Sequence, residues 1–130
     1  ADLFEIRPAV PYTDADLNWR DTHSRSSVEM NDPHSRPNIA ETLSTMADYD
    51  VIFLGFPIWW YTAPTIIHTF LESYDFSNKT IVPFATSGGS GFGKTIESLK
   101  PCCDKTTKWL PGQMLNHASA QALADFAAKV

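Results

Sequence analysis

Cysteine is nearly absent. The chain holds two, Cys102 and Cys103, and they are adjacent. Neighbouring cysteines make a poor disulfide framework and match no metal-site or C-x-x-C spacing. Two reduced structural thiols in a cytoplasmic protein are expected. Long apolar runs are also missing: none reaches the roughly 18 residues a membrane span requires. Positive charge is short, with 10 Lys and Arg against 15 Asp and Glu and a net charge of −5. That excludes a phosphate-binding surface for nucleic acid and a docking face for anionic membranes. Apolar residues at 43% and charged residues at 19% describe a globular chain, and 130 residues make one domain with a modest core. The sequence begins Ala1-Asp2-Leu3 without Met, so processing or an upstream piece is expected.

Glycine is scarce but concentrated. Four of the six glycines fall in Gly88–Gly93. Gly88 to Thr95 satisfies G-x-x-x-x-G-K-[ST], the phosphate-cradling loop of nucleotide hydrolases. Its context disagrees. Such a site needs an Asp at the end of a neighbouring apolar strand to hold a magnesium ion through water. Val51–Phe56 ends instead in Pro57-Ile58-Trp59-Trp60, and Leu3–Ile6 ends in Arg7-Pro8. A P-loop nucleotide-binding protein therefore stays as an alternative only.

The periodicity predicts an alternating order. Leu3–Ile6 reads as a short strand. Arg7 to Arg36 reads as a proline-punctuated polar stretch with short helical pieces, one opened by a capping box at Thr13–Asp16. His23, Arg25 and His34 in this stretch show no ligand spacing. Ile39–Met46 reads as a helix, and Val51–Phe56 as a strand buried on both faces. A helix capped by Thr62 carries Ile66, Ile67, Phe70, Leu71 and Tyr74 on its core face, with His68 as exposed filler. Thr80–Ala85 is the next strand and Thr95–Lys100 the next helix. A weak strand around Trp109–Leu110 and Met114–Leu115 is broken by Pro111-Gly112. Ala118–Val130 closes the chain as a helix capped by Ser119. Alternation of this kind implies a parallel sheet with helices on both faces.

Ligands of open α/β sheets sit at the carboxyl ends of strands. Two such ends are chemically suggestive. Pro57, Ile58, Trp59, Trp60, Tyr61 and Thr62 follow one strand, and three aromatics in a row cannot all face the core. Thr86, Ser87, Gly88, Gly89 and Gly91 follow another, where absent side chains let backbone amides approach a ligand. Stacking surface on one side and hydrogen-bond donors on the other suit a planar heteroaromatic ring. No side chain has the look of an indispensable acid or base, and His117 reads as loop.

These segments resemble the flavodoxin-like FMN proteins. The likeness rests on Asp48 through Pro64, Phe70 through Asp75 and Lys79 through Gly93. It extends to Pro11–Trp19 and Arg36–Ile39, which resemble a subgroup with a long polar insert, and it covers essentially the whole chain. It implies a three-layer, doubly wound parallel sheet with FMN at the switch point. The ring would lie against Trp59 or Trp60, with its pyrimidine edge on the turn Thr86–Gly91. The implied activity is FMN-dependent electron transfer or oxidoreduction, as an electron carrier or as a reductase of NAD(P)H or quinone type. The implied partner is a redox protein or a small-molecule acceptor. The net charge of −5 would lower the flavin potential, an effect that salt screens.

In that family the phosphate-binding loop and first strand precede the segment matching Ala1–Ile6. The resemblance thus implies four strands here, weak or absent FMN binding by these residues alone, and a gap between Leu3–Ile6 and Val51–Phe56. Exposed strand edges at that gap would favour a homodimer. A cofactor-free α/β binding or assembly module is the second alternative.

Overall fold

Two parallel seven-residue strands and the helix between them organise the chain. In the computed structural model, which describes residues 2–89 and 91–128, β1 (Val51–Pro57) and β2 (Thr80–Thr86) pair in parallel from Val51↔Thr80 to Pro57↔Thr86. Beyond β2 lie β3 (Lys108–Trp109) and β4 (Gln113–Met114), two short segments that both pair in parallel with β2. Pro111 and Gly112 interrupt what would otherwise be one strand, since proline gives no amide to the ladder. Among the described residues the sheet has four strands, all parallel.

The helices are α1 (Arg25–Met30), α2 (Thr65–Glu72), α3 (Thr95–Leu99) and α4 (Ala120–Ala127). Short 3₁₀ turns at Met46–Asp48 and Lys100–Cys102 complete the regular structure. α2 buries Ile66, Ile67, Phe70 and Leu71 in a core with Leu54, Phe56, Phe76, Ile81 and Leu99. On the other sheet face, Phe126 of α4 stands edge-on to Phe53 and Phe84, at 5.7 and 5.9 Å between centroids. Ser119 caps α4, accepting the Ala122 amide at 3.1 Å. The last two residues of the expected helix Ala118–Val130 lie outside the described residues. None of the described helices is long and apolar enough to cross a membrane.

Several expectations need correction. Leu3–Ile6 has no regular secondary structure and joins no sheet. Phe4 and Ile6 pack on the core instead, Phe4 at 6.4 Å from Phe70. An apolar cavity of about 830 Å³ separates this segment from β1, with Ile52, Leu54 and Phe70 among its walls. The two flanking segments do not close up, so the outer edge of β1 has no strand beside it among the described residues. Ile39–Met46 is not a helix. Ile39 makes an antiparallel bridge with Pro8, and the Leu43 amide donates to the Tyr74 hydroxyl at 2.8 Å. These tertiary contacts outweigh a weak propensity. Thr62 does not cap α2, whose first flanking residue is Pro64, because Thr62 is used in a tight turn. His68 is half-buried rather than exposed, and its Nδ1 has no hydrogen-bond partner among the described residues.

The polar stretch is more ordered than its composition suggests. Thr13 and Asp16 exchange reciprocal amide-to-side-chain bonds of 3.0 and 3.2 Å. Ser24 caps α1 by accepting from the Ser27 amide. Cys102 and Cys103 are free thiols, and burial pushes each up to about 11.

Candidate functional site

Because Pro57 pairs with Thr86, the segments that follow β1 and β2 leave the sheet side by side at its carboxyl edge. The aromatic rim and the glycine turn therefore share one lip. The Ile58 amide extends the ladder by donating to the Thr86 carbonyl at 2.8 Å.

Trp59 and Thr62 then exchange two backbone hydrogen bonds of 2.8 and 3.1 Å, closing a two-residue turn. Its central residues, Trp60 and Tyr61, have φ of +48° and +68°. Turns of this hand normally carry Asn-Gly, because a side chain in the left-handed region costs roughly 1–2 kcal/mol per residue. Two bulky aromatics there represent stored strain, which concentrates at functional sites. The turn is held from below. Gly93, at φ +53°, passes so close that a Cβ on it would stand 3.2 Å from the Tyr61 carbonyl. The buried Thr95 hydroxyl bonds the Phe92 carbonyl and approaches that of Tyr61 at 3.4 Å. This corrects the P-loop reading: the threonine it needs for magnesium is committed inside the protein.

The glycine turn is fastened differently. The Ser87 amide donates to Asn116 Oδ1 at 2.7 Å, and Asn116 Nδ2 donates back to the Ser87 carbonyl. The Gly89 amide donates to Ser87 Oγ at 3.1 Å. Two amides assigned to a ligand from sequence thus bond within the chain, while those of Gly88 and Gly91 bond no other described residue. A Cβ built on Gly88, Gly89 or Gly91 would meet no protein atom within 4 Å, and none of the three has positive φ. Neither packing nor backbone strain demands glycine at these positions. The space they leave lies open toward solvent.

Between rim and turn lies a cavity of about 820 Å³. Pro57, Ile58, Trp59, Trp60, Tyr61, Ser87, Gly88 and Gly89 line it; Thr62, Thr86 and Gly91 do not. The remaining wall comes from the polar stretch: Leu17, Trp19, Ser26 and Met30. Sequence reading missed these four. The only signal was the run Pro11–Trp19, whose terminal apolar pair has no place in a solvated loop.

The stretch is bolted to the rim. Tyr12 stands edge-on to Trp59, and the Arg25 guanidinium lies 3.8 Å over the Tyr12 ring. Arg25 also pairs with Glu29 at 3.0 Å, and the Tyr12 hydroxyl donates to Glu29. Burial first, then the bond to Glu29, raise the Tyr12 phenol well above its ordinary value. Among the described residues no group of three or more His, Cys, Asp or Glu could hold a metal ion.

A parallel sheet flanked by helices, with aromatic and glycine-rich loops at one carboxyl edge, defines an α/β protein. Residues 1–130 match the Flavodoxin family, and the chain belongs to it. It is 47% identical to a candidate flavoprotein of Bacteroides uniformis, covering 96% of this chain and 80% of that one, with a TM-score of 0.90. A candidate flavoprotein of Bacteroides eggerthii is 46% identical over 99% of this chain and 80% of its own, with a TM-score of 0.91. A Lactobacillus acidophilus flavoprotein in complex with FMN shares the fold at 16% identity and a TM-score of 0.59, covering 88% and 75%. No curated protein matches the chain.

Proposed function

We propose that this chain holds the isoalloxazine ring of FMN and serves electron transfer or oxidoreduction. The observation that carries the reading is the single cavity joining Trp59, Trp60 and Tyr61 to Ser87, Gly88 and Gly89. Its residues fit the group. The strained aromatic turn offers ring faces, and the glycines leave room for a flat edge to reach the backbone. When bound, FMN would supply the redox chemistry. The chain orients the ring, sets the polarity around it and limits water.

None of the residues lining this cavity is basic. Residues 1–130 then recognise the ring rather than the phosphate, and FMN binds them weakly. The test compares FMN with lumiflavin, the ring without ribityl phosphate, by quenching of flavin fluorescence. Both should be quenched with similar affinity, and Trp60→Ala should weaken both. Absence of quenching by either ligand sinks the reading.

One observation favours a second reading, that of an assembly module: among the described residues the outer edge of β1 is unpaired and borders apolar space. Strand edges of this kind pair with other chains. Two copies would then associate along β1. Sedimentation at increasing concentration should show a dimer; a monomer throughout, or a dimer untouched by Phe53→Lys, argues against it.

A further inference from the structure

We propose that Asn116 is a positioning residue of the ring cavity, one that sets the shape of the glycine turn without touching the ligand. The inference rests on the flavin reading above and names the side chain that readies the turn for the ring.

Sheet register brings Asn116 to its place. β4 pairs with β2 through Phe84↔Gln113 and Ala85↔Met114, and the Leu115 amide carries the ladder on by donating to the Ala85 carbonyl at 2.8 Å. One step further along, Asn116 stands beside Ser87. Its Oδ1 accepts from the Ser87 amide at 2.7 Å, and its Nδ2 donates to the Ser87 carbonyl at 2.5 Å. A carboxamide offers an acceptor and a donor side by side without charge, so one side chain holds both backbone groups of one residue.

The backbone that carries Asn116 is itself fixed. The Ala118 amide donates to the Leu115 carbonyl at 3.3 Å, closing a turn over Asn116 and His117. His117 has φ of +50°, a conformation that residues other than glycine keep only where their surroundings impose it. Ser119 then caps α4. Asn116 thus projects from a turn pinned between β4 and α4.

The glycine turn depends on such an outside hold. Gly88, Gly89 and Gly91 have no side chains to pack, and a Cβ on any of them would meet no protein atom within 4 Å. Glycine backbone loses the most conformational freedom when it is ordered. A ligand that must order the turn as it binds loses affinity, and a turn ordered beforehand spares that loss. Asn116 does not line the cavity, whereas Ser87, the residue it grips, does. Its influence on a ligand therefore passes through the turn.

Lumiflavin titration, followed by fluorescence quenching, tests this in two variants. Asn116→Ala should weaken lumiflavin about fivefold, the effect of roughly one net hydrogen bond. Asn116→Asp should be as weak at about pH 7, where a carboxylate has no proton to donate and faces the Ser87 carbonyl. At about pH 4 a protonated carboxyl again donates and accepts, and most of the wild-type affinity should return. The wild-type protein, which keeps His117 and every other titrating group, is the control at each pH. Circular dichroism confirms that each protein is folded where it is titrated. Hydrogen exchange without ligand should quicken at Ser87–Gly89 in Asn116→Ala and stay slow in β2.

An unchanged lumiflavin affinity in Asn116→Ala overturns the inference. So does a folded Asn116→Asp that fails to recover on acidification, and this arm decides the matter if the alanine variant does not fold. Exchange at Ser87–Gly89 that is no faster in the alanine variant also overturns it. Failure of the wild-type protein to bind lumiflavin overturns the flavin reading instead, and the inference falls with it.

Discussion

The Tyr12 ring stands edge-on to the Trp59 indole, 5.5 Å between centroids and 82° between planes. This contact ties the polar stretch to the end of β1, and the Arg25–Glu29 pair locks Tyr12 from its other side. An edge-to-face pair contributes about 0.5–1.5 kcal/mol beyond its buried area. Tyr12→Ala should therefore free residues 10–30 without unfolding the sheet. Hydrogen exchange should quicken across α1 and stay slow in β2. Equal acceleration in β2 would show that the stretch is part of the global core.

Gly55 lies directly beneath the Phe84 ring, its partner across the strands. A Cβ there would stand 2.4 Å from Phe84 Cζ. Gly55→Ala should displace the ring and disturb its contact with Phe126, at a cost of about 1–3 kcal/mol typical of overpacking. Urea unfolding measures this directly. Gly55→Ala combined with Phe84→Leu should recover part of the loss, and a double variant no better than the single would refute the steric cause.

Tyr61 adopts the left-handed conformation while largely exposed. Tyr61→Gly should relieve strain and stabilise the fold by about 1 kcal/mol, while weakening lumiflavin through the lost ring face. Stability and binding should move in opposite directions. A variant that loses both would show that the turn depends on the tyrosine side chain for its shape.

His68 titrates below its ordinary 6.5, first because burial penalises the charged form and second because Arg36 lies near; Glu72 and the Ser98 backbone pull weakly the other way. The folded state thus binds fewer protons than the unfolded chain as pH falls below about 6.5. Stability should decline from that point and continue to fall through the depressed folded value. Glu72, held below its usual range by the Arg36 hydrogen bond, adds a separate loss in the carboxylate range. His68→Gln should flatten the first decline and leave the second. Chemical denaturation at a series of pH values resolves the two.

Local sequence determined a good part of this protein. The apolar runs Val51–Phe56 and Thr80–Ala85 announced strands, and the spacing of Ile66, Ile67, Phe70 and Leu71 a helix over them; but β1 is buried on one face only, with Val51 and Phe53 exposed on the other, against the expected burial on both. Ser119 announced its cap, because capping involves neighbours three residues apart; the Thr13–Asp16 box forms its reciprocal bonds but closes a turn and opens no helix. The pairing of the tryptophan rim with the glycine turn was also legible, since parallel strands leave a sheet at the same edge.

What tertiary structure alone decided depends on partners distant in sequence. Leu3–Ile6 has strand chemistry but no strand beside it, so Phe4 seeks Phe70 instead. Ile39–Met46 gives up a marginal helix for Pro8 and Tyr74. Leu17, Trp19, Ser26 and Met30 join the cavity because Tyr12 meets Trp59, across 47 positions that no local periodicity spans. Side-chain spacing writes an element's inward face into the chain; which surface that face meets is settled by the free energy of packing the whole.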